Sequence, residues 1–424
     1  MKKLLSLALA LVMIMSVVMV SAHAEGEKIV LNFWHSMSGT NGNSIDHMVE
    51  AFNASQDEIE VIATYQGNYW DSIANAVLAI SQGIGPDLIQ TGSGEARILT
   101  DEEGIAANLL DYLDDELPYE DFVPNFIDCY RYEMEGEDYL AALPMGCSTP
   151  VLYCNKTLLD ENNLEIPHTW QELYDVCKVL VDNGIVDYGC GQGRDAWYLF
   201  GTVTGWGDKC ELYAEDGLSL SEGAIANIKE AYPFLQDMIR HNYFYAAPAT
   251  NGGTIMNEMM STKKMAFYIN SIGGLNTQET NAKTGEYELV VSNFPNYTVP
   301  SGGNSLVLLE GPNKDAAWKF IKWIYTSEDG LAYFDYYSGY VACNASSKAT
   351  ETLQKKINEN PNYARAYDYL SNVNNNHLIR GNSQMSTTYL NFLDAVFYDL
   401  EDVEENLETL EEGVKEVLAE ANGL

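Results

Sequence analysis

The chain is predicted to fold as two α/β lobes followed by a helical C-terminal part, and three observations carry that prediction. At 424 residues it is longer than one ordinary hydrophobic core supports, so it divides. From residue 28 to residue 90, strand-like and helix-like segments alternate as β-α-β-α-β, the order of a parallel sheet covered by helices. From Ala349 onward strand patterning gives way to helical patterning, which ends in a long acidic amphipathic run.

Taken in order, 28–34 is a compact apolar run rich in β-formers and reads as a strand. The polar stretch 36–43 reads as a turn before a helix over 44–54. A second strand is expected at 60–65 and a helix over 70–82, with Ile73, Val77 and Ile80 on its apolar face. Gly83, Gly85 and Pro86 stop that helix, and 87–90 is a third strand. Open parallel sheets bind ligands beyond the carboxyl ends of their strands. Trp34-His35-Ser36, Tyr69 and the 90–95 segment are thereby placed at one edge.

The character changes around Leu143-Pro144. Strands are expected at 139–143 and 151–155, flanking a polar link over 145–150. Thr169 and Glu172 have the spacing of a capping box for a helix starting at Trp170. A helix is expected over 222–240, strands at 265–269, 289–293 and 305–309, and a helix over 315–326 packed through Trp318, Phe320 and Trp323. Gly189-Cys190-Gly191-Gln192-Gly193 lacks dinucleotide-binding spacing and reads as a loop. The terminal run carries Leu400, Val403, Leu407, Leu410, Val414 and Val417 on one stripe, read as a helix packed on a lobe rather than a coiled coil.

The N-terminus has the layout of an export signal. Lys2 and Lys3 precede an apolar run over 4–20 broken only by Ser6 and Ser16, and Ala22-His23-Ala24 supplies a small-x-small site. Residues 1–24 are therefore read as a signal peptide cleaved after Ala24. A retained membrane anchor is the alternative, since the run approaches a spanning length; the cleavage site following the run directly disfavours it. The first cysteine is Cys129, far from that site, so no lipoprotein cysteine is present. No later run is apolar enough to span a bilayer, and the mature chain is expected to be exported and soluble, periplasmic or extracellular.

The formal net charge is −39, and losing Lys2 and Lys3 takes it to −41. Such a field repels nucleic acid and anionic lipid, so no nucleic-acid partner is expected. It also disfavours a phosphorylated ligand unless local cations or helix ends overcome it. The seven cysteines are an odd set without metal-binding spacing, and a chain of this size needs no disulfide scaffold. They read as buried thiols, with a single disulfide left open. No metal or cofactor is expected.

Several motifs carry more specific information: Phe33-Trp34-His35-Ser36-Met37, Gly67-Asn68-Tyr69-Trp70, Ser148-Thr149-Pro150-Val151-Leu152-Tyr153-Cys154-Asn155-Lys156, Thr169-Trp170, the Ser301 to Leu306 stretch, Ser338-Gly339-Tyr340 and Gly381-Asn382. In this order and spacing they resemble extracellular solute-binding protein family 1, nearest its glycerol-3-phosphate-binding branch and more distantly similar to maltose-binding protein. The resemblance implies a periplasmic-binding-protein-like fold with hinge crossovers and a solute in the interlobe cleft. It also implies lobe closure and delivery to ABC permease transmembrane subunits. The lobes are expected over 25–137 plus 290–338 and over 138–289 plus 339–424, in a monomer.

Matched motif by motif, that branch's ligand-contacting positions fall on Tyr69, Ser148, Gly303 and Tyr340. A serine of the branch falls on Asn270, with Ser271 beside it. Tyrosine offers an apolar face and a hydroxyl, serine orients hydroxyls, and glycine lets the backbone approach. Two positions depart. The glutamate that grips glycerol hydroxyls corresponds to Ser93, with Glu95 in reach of the same space. The phosphate-pairing arginine falls near Thr387, leaving Arg380 and Arg194 as replacements off the motif. Losing a bidentate cation weakens phosphate recognition. A neutral mono- or oligosaccharide is therefore the preferred solute, with sn-glycerol 3-phosphate or a glycerophosphodiester as the alternative.

Among the aromatics, Tyr69 and Tyr340 read as ligand contacts, whereas Trp70 and Trp206 read as structural. Trp34, Trp197 and His35 stay open between a cleft role and a packing role and are carried as candidates. A secreted glycoside hydrolase is the rival class, because carboxylates and aromatics are plentiful. No nucleophile elbow, zinc-protease, phosphate-loop or EF-hand motif is present, and no carboxylate pair stands out. The reading is a receptor and not an enzyme.

Overall fold

The computed structural model describes residues 28–100, 105–134, 136–207, 209–295, 298–374 and 382–424. The expected signal peptide and Arg380 lie outside these residues.

The first strands are β1 (Ile29–His35), β2 (Ile59–Tyr65) and β3 (Leu88–Gly92). β1 pairs in parallel with both others, as the β-α-β-α-β order requires. A short hairpin, β4 (Arg131–Met134) and β5 (Glu137–Leu140), follows, then β6 (Leu143–Ser148). The next five strands are β7 (Pro150–Asn155), β8 (Tyr188–Gln192), β9 (Phe244–Ala246), β10 (Met265–Ser271) and β11 (Leu289–Asn293). β12 (Val299–Pro300) and β13 (Gly302–Leu308) lead back, and β14 (Val373–Asn374) pairs with β12.

These strands form two five-stranded sheets, ordered β2-β1-β3-β13-β6 and β11-β7-β10-β8-β9. The chain changes sheet at Thr149, between Ser148 and Pro150, and returns between Asn293 and Val299. β6 thus belongs to the first sheet and β11 to the second, whereas the sequence division placed both crossings some residues earlier. The hairpin and β6 look like a fresh start in sequence, but β6 buries both faces beside β13, with Cys147 opposite Gly303.

One core packs on the first sheet and runs on to residues of the second such as Val151, Tyr153 and Tyr268, and another fills the rest of the second sheet. Leu31, Phe33, Ile89, Leu306 and Val307 pack with Phe320 and Ile324 of the Lys314–Thr326 helix in the first lobe. Leu152, Phe267 and Ile269 pack with Leu199, Tyr232 and Phe244 in the second. Val403, Leu407, Leu410 and Val414 of the Val403–Ala421 helix join that second core, so the acidic terminal run is a lobe-packed helix. Leu400 lies before the helix with φ 53°, and Leu418 replaces Val417 on the buried stripe.

Other local expectations need correction. The first helix is Gly39–Ser55 and so includes most of the expected turn. Small polar residues at a solvated helix start resemble a turn, but Gly42 N donates to Ser38 O (3.2 Å) and Ser44 Oγ to Thr40 O (3.1 Å). The Tyr69–Ser81 helix buries Ser72, Ile73, Ala76 and Ala79 and leaves Val77 46% exposed; small residues let it sit close to the sheet. The 145–148 link is part of a strand, and so is most of the 189–193 glycine segment. A Cβ on Gly189 would come within 2.4 Å of the Cys177 Cβ, so a side chain's absence there lets the Trp170–Asp182 helix pack onto β8. That helix has the capping box expected of Thr169 and Glu172.

All seven cysteines are free thiols, five of them buried. Among the described residues no helix is long and apolar enough to cross a membrane.

Candidate functional site

A cavity of about 500 Å³ opens between the lobes. Its first wall is built at the carboxyl edge of the first sheet. β3 ends at Gly92, and the Ser93–Thr100 helix starts without an intervening loop. A Cβ at Gly92 would meet Glu95 Oε2 at 2.1 Å and Tyr69 Cδ2 at 2.8 Å. The bare backbone thus leaves room for Glu95 and the Tyr69 ring. Tyr69 is the first residue of its helix, held there by Asn68, whose side chain accepts from Asp71 N (2.9 Å). Its hydroxyl lies 3.3 Å from that of Tyr340. The Tyr340 ring stacks on Phe334 with centroids 5.8 Å apart, and its chain neighbour Val341 bridges Cys147 of β6.

The second wall comes from the start of the Ala196–Gly205 helix and the end of β10. Asp195 caps that helix by accepting from Trp197 N (2.9 Å). Trp197 Nε1 donates to Ser301 O (2.7 Å), which ties the second lobe to the returning crossover. Asn270 Oδ1 accepts from Tyr198 Oη (3.0 Å) and Ser271 N (2.7 Å), so the amide is fixed in orientation. The Ser271 hydroxyl bonds that of Ser148 and accepts from Gly273 N (3.0 Å). Gly303, at φ +116°, lies where a Cβ would overlap Gly146 O at 1.9 Å, so only glycine serves there.

Of the residues expected from sequence, Tyr69, Ser93, Trp197, Asn270, Ser271, Gly303 and Tyr340 line this one cavity. Ser148 is fully buried one layer behind Ser271. Trp34 is half-buried against the first-lobe core and His35 is buried beside Phe33 and Tyr65; neither lines the cavity. Burial lowers the His35 pKa, which keeps the ring neutral. The replacement cation Arg194 does reach the cavity, but Nε and Nη2 each donate to Asp394 at 2.5 Å. Thr387 is exposed on the Asn382–Leu393 helix, whose Ser386 and Leu390 line the cavity instead. Trp206 packs on Trp170 and Phe234, a structural role as expected.

The sequence reading missed Trp70, Asp195, Tyr198 and Phe200 as lining residues. Asp195 before Ala196-Trp197 carries a cap signal but nothing that aims it at a cleft, and Tyr198 is one tyrosine among 28. Glu95 lines the cavity, and desolvation pushes its pKa up to about 7, helped by the negative charge of Asp195. The Asp195 pKa is raised as well, by desolvation that outweighs its hydrogen bond from Trp197 N and the pull of Arg194. Tyr69 and Tyr340 are held protonated by burial. Among the described residues no group of three or more acidic, histidine or cysteine side chains is arranged to hold a metal. The arrangement combines aromatic faces, hydroxyls, two carboxylates and one compensated arginine, a set suited to a polyhydroxylated organic solute.

Comparison with known proteins agrees with this geometry. The sn-glycerol-3-phosphate-binding periplasmic protein of Shigella flexneri is 28% identical over 179 residues, covering 41% of this chain and 40% of that protein. The Escherichia coli K12 protein of the same name is 27% identical over 179 residues, with the same coverage. The chain thus matches well under half the length of these curated relatives. In fold, it is similar to the GacH receptor of Streptomyces glaucescens, solved unliganded and with acarbose (TM-score 0.79, 18% identity, 92% of this chain and 99% of that one). It is also similar to UgpB of Mycobacterium tuberculosis in complex with glycerophosphocholine (TM-score 0.77, 18% identity, 93% and 99%). The profile of the bacterial extracellular solute-binding proteins matches residues 47–364. With two lobes around a lined cleft and a match over most of its length, the chain belongs to the bacterial extracellular solute-binding proteins.

Proposed function

We propose that this chain is the extracytoplasmic receptor of an ABC importer, capturing a carbohydrate, mono- or oligosaccharide, between its lobes and handing it to membrane permease subunits. The observation that carries the reading is the cavity walled by both lobes, with Tyr69 and Tyr340 on one side and Trp197, Asn270 and Ser271 on the other. Aromatic faces cover the apolar sides of a sugar ring, while fixed amide and hydroxyl groups orient its hydroxyls. Closure of the lobes then excludes water and creates the shape a permease reads. The chain acts as a monomer, without a catalytic step, after export and cleavage behind Ala24.

Capture of sn-glycerol 3-phosphate or a glycerophosphodiester is a second reading. It is favoured by the names of the partial-length relatives and by the tyrosine, serine and glycine positions shared with that branch. Against a free phosphate monoester stands the bidentate Arg194–Asp394 pair, which leaves that guanidinium already neutralised.

A thermal-shift panel of glycerol phosphates and mono-, di- and trisaccharides tests the proposal. Binding to the native state alone raises the melting midpoint, by about 2.7 kcal/mol of stabilisation at a hundredfold excess over Kd. A rise with at least one saccharide is expected. Silence throughout, together with cleavage of an aryl glycoside by the Glu95 and Asp195 carboxylates, would replace the receptor with a hydrolase.

A further inference from the structure

We infer that the solute of this cleft carries a positive charge, an ammonium or protonated amine on a hydroxylated body. The inference rests on the receptor reading above and narrows its ligand class. Two carboxylates line the cavity from opposite lobes: Glu95 from the first and Asp195 from the second. Neither has a basic side chain in an ion pair with it among the described residues. Among the described residues the basic side chain lining the cavity is Arg194, and two of its three guanidinium nitrogens donate to Asp394, whose charge offsets its own. The groups facing Glu95 from the neighbouring elements are the hydroxyls of Tyr69 and Tyr340 and the carboxylate of Asp195, and these add no positive charge.

The consequence is mechanical as well as chemical. Like charges on facing walls repel more strongly as the walls approach and water leaves, because the local dielectric falls. In the empty cleft that repulsion is relieved by protonation, Glu95 being pushed up to about 7, and closure leaves the pair uncharged or opposed. A cation between Glu95 and Asp195 reverses the sign, so that closing strengthens two attractions at once. Trp70, Trp197 and Tyr340 in the same lining supply ring faces of the kind that attract ammonium groups. The acidic surface of the whole chain concentrates such a ligand near the mouth and repels its phosphorylated or carboxylated relatives.

The test is isothermal titration calorimetry on the full mature chain near neutral pH with matched probes. One set compares the free-amine glucosamine dimer with its N-acetylated form and with cellobiose. The other compares glycerophosphocholine with glycerol 3-phosphate. In at least one set the member bearing the ammonium or amine, the free-amine glucosamine dimer or zwitterionic glycerophosphocholine, is expected to bind about tenfold or more tightly than its mates. Raising the salt should shrink that advantage several-fold, the screening length falling to about 3 Å at molar salt. Glu95→Gln with Asp195→Asn should bring the set to within about twofold, since the attraction is Coulombic. Uncharged or anionic probes binding as tightly as those bearing the ammonium or amine would overturn the inference and leave the receptor intact. Silence in both sets would remove the receptor reading for these solutes and the inference with it. If the double variant fails to fold, the salt dependence of the native chain decides.

Discussion

The Trp197 indole lies over Gly302 so closely that a Cβ there would come within 2.4 Å of Cζ2 and 2.9 Å of Cε2. The same indole donates to Ser301 O (2.7 Å). A side chain of the second lobe is thereby seated on the crossover that leads into the first.

Gly302→Ala is expected to lift the indole from this seat, break its bond to Ser301 and cost about 1–3 kcal/mol of stability, as overpacking does. Adding Trp197→Phe, which trims the bicyclic indole to one smaller ring and so removes the clashing outer atoms, should recover part of that loss. A denaturant double-mutant cycle measures the coupling. Strictly additive effects would show that the seat does not matter.

Tyr340→Phe keeps the ring on Phe334 and removes the hydroxyl that faces Tyr69 at 3.3 Å. Stability should change by about 1 kcal/mol or less, the net worth of one hydrogen bond. Solute affinity, read by calorimetry, should fall about five- to tenfold if the hydroxyl contacts solute. Ser148→Ala acts through Ser271 and should weaken binding less. A larger loss for Ser148 than for Tyr340 would reverse this ordering of the site.

Glu95 ties the stability of the empty protein to pH. Its ordinary value of 4.5 applies to the unfolded chain, and in the folded protein desolvation and then Asp195 push it up to about 7. Between those values the native state holds the extra proton, so this group's contribution falls as pH rises from about 4.5 to 7 and stays low above. Asp195 is displaced in the same direction. Glu95→Gln should melt like the parent below pH 4.5 and above it at higher pH. Equal melting across the whole range would mean the carboxylate is solvated and uncoupled.

Lys356 is buried below the turn that presents Tyr340. Its ammonium donates to Asp335 O (2.9 Å), Tyr336 O (2.7 Å) and Ser338 O (2.6 Å), and it sits 4.0 Å from the centre of the Tyr363 ring. These carbonyls end the Tyr333–Tyr337 helix, where the helix dipole is negative. Lys356→Met should destabilise the protein by about 3–5 kcal/mol, the cost of removing one partner from a buried polar set. Burial lowers the lysine from its ordinary 10.5 to about 8. The native state therefore sheds this proton first, and the lysine's contribution to stability rises between about pH 8 and 10.5. That rise should vanish in the methionine variant, as followed by melting in alkaline buffers.

The parallel start of the first sheet, the capped helix at Trp170 and the packed terminal helix were all readable from residue order. Each follows from local periodicity or a local cap, which neighbouring residues alone specify. Family motifs added Tyr69, Asn270, Ser271, Gly303 and Tyr340 to one cleft, because those residues sit in short fixed patterns at strand ends, a helix start and a turn. Trp34 and His35 also end a strand but do not line the cavity. Strand-end position defines an edge of the sheet, and packing decides which side chains of that edge face the solute.

The glycines at 189 and 191 resembled a loop because a strand lined by close-packed neighbours needs no side-chain pattern of its own. The placing of Glu95 and Asp195 in one cavity lining and the pairing of Arg194 with Asp394 bring together residues 100 and 200 positions apart. Charges that far apart in the chain meet only through the tertiary fold, Glu95 and Asp195 across the cleft and Arg194 and Asp394 within the second lobe, so residue order alone identified the class of machine. The tertiary structure set the charge of its cleft, because that charge depends on which groups are already neutralised by a partner.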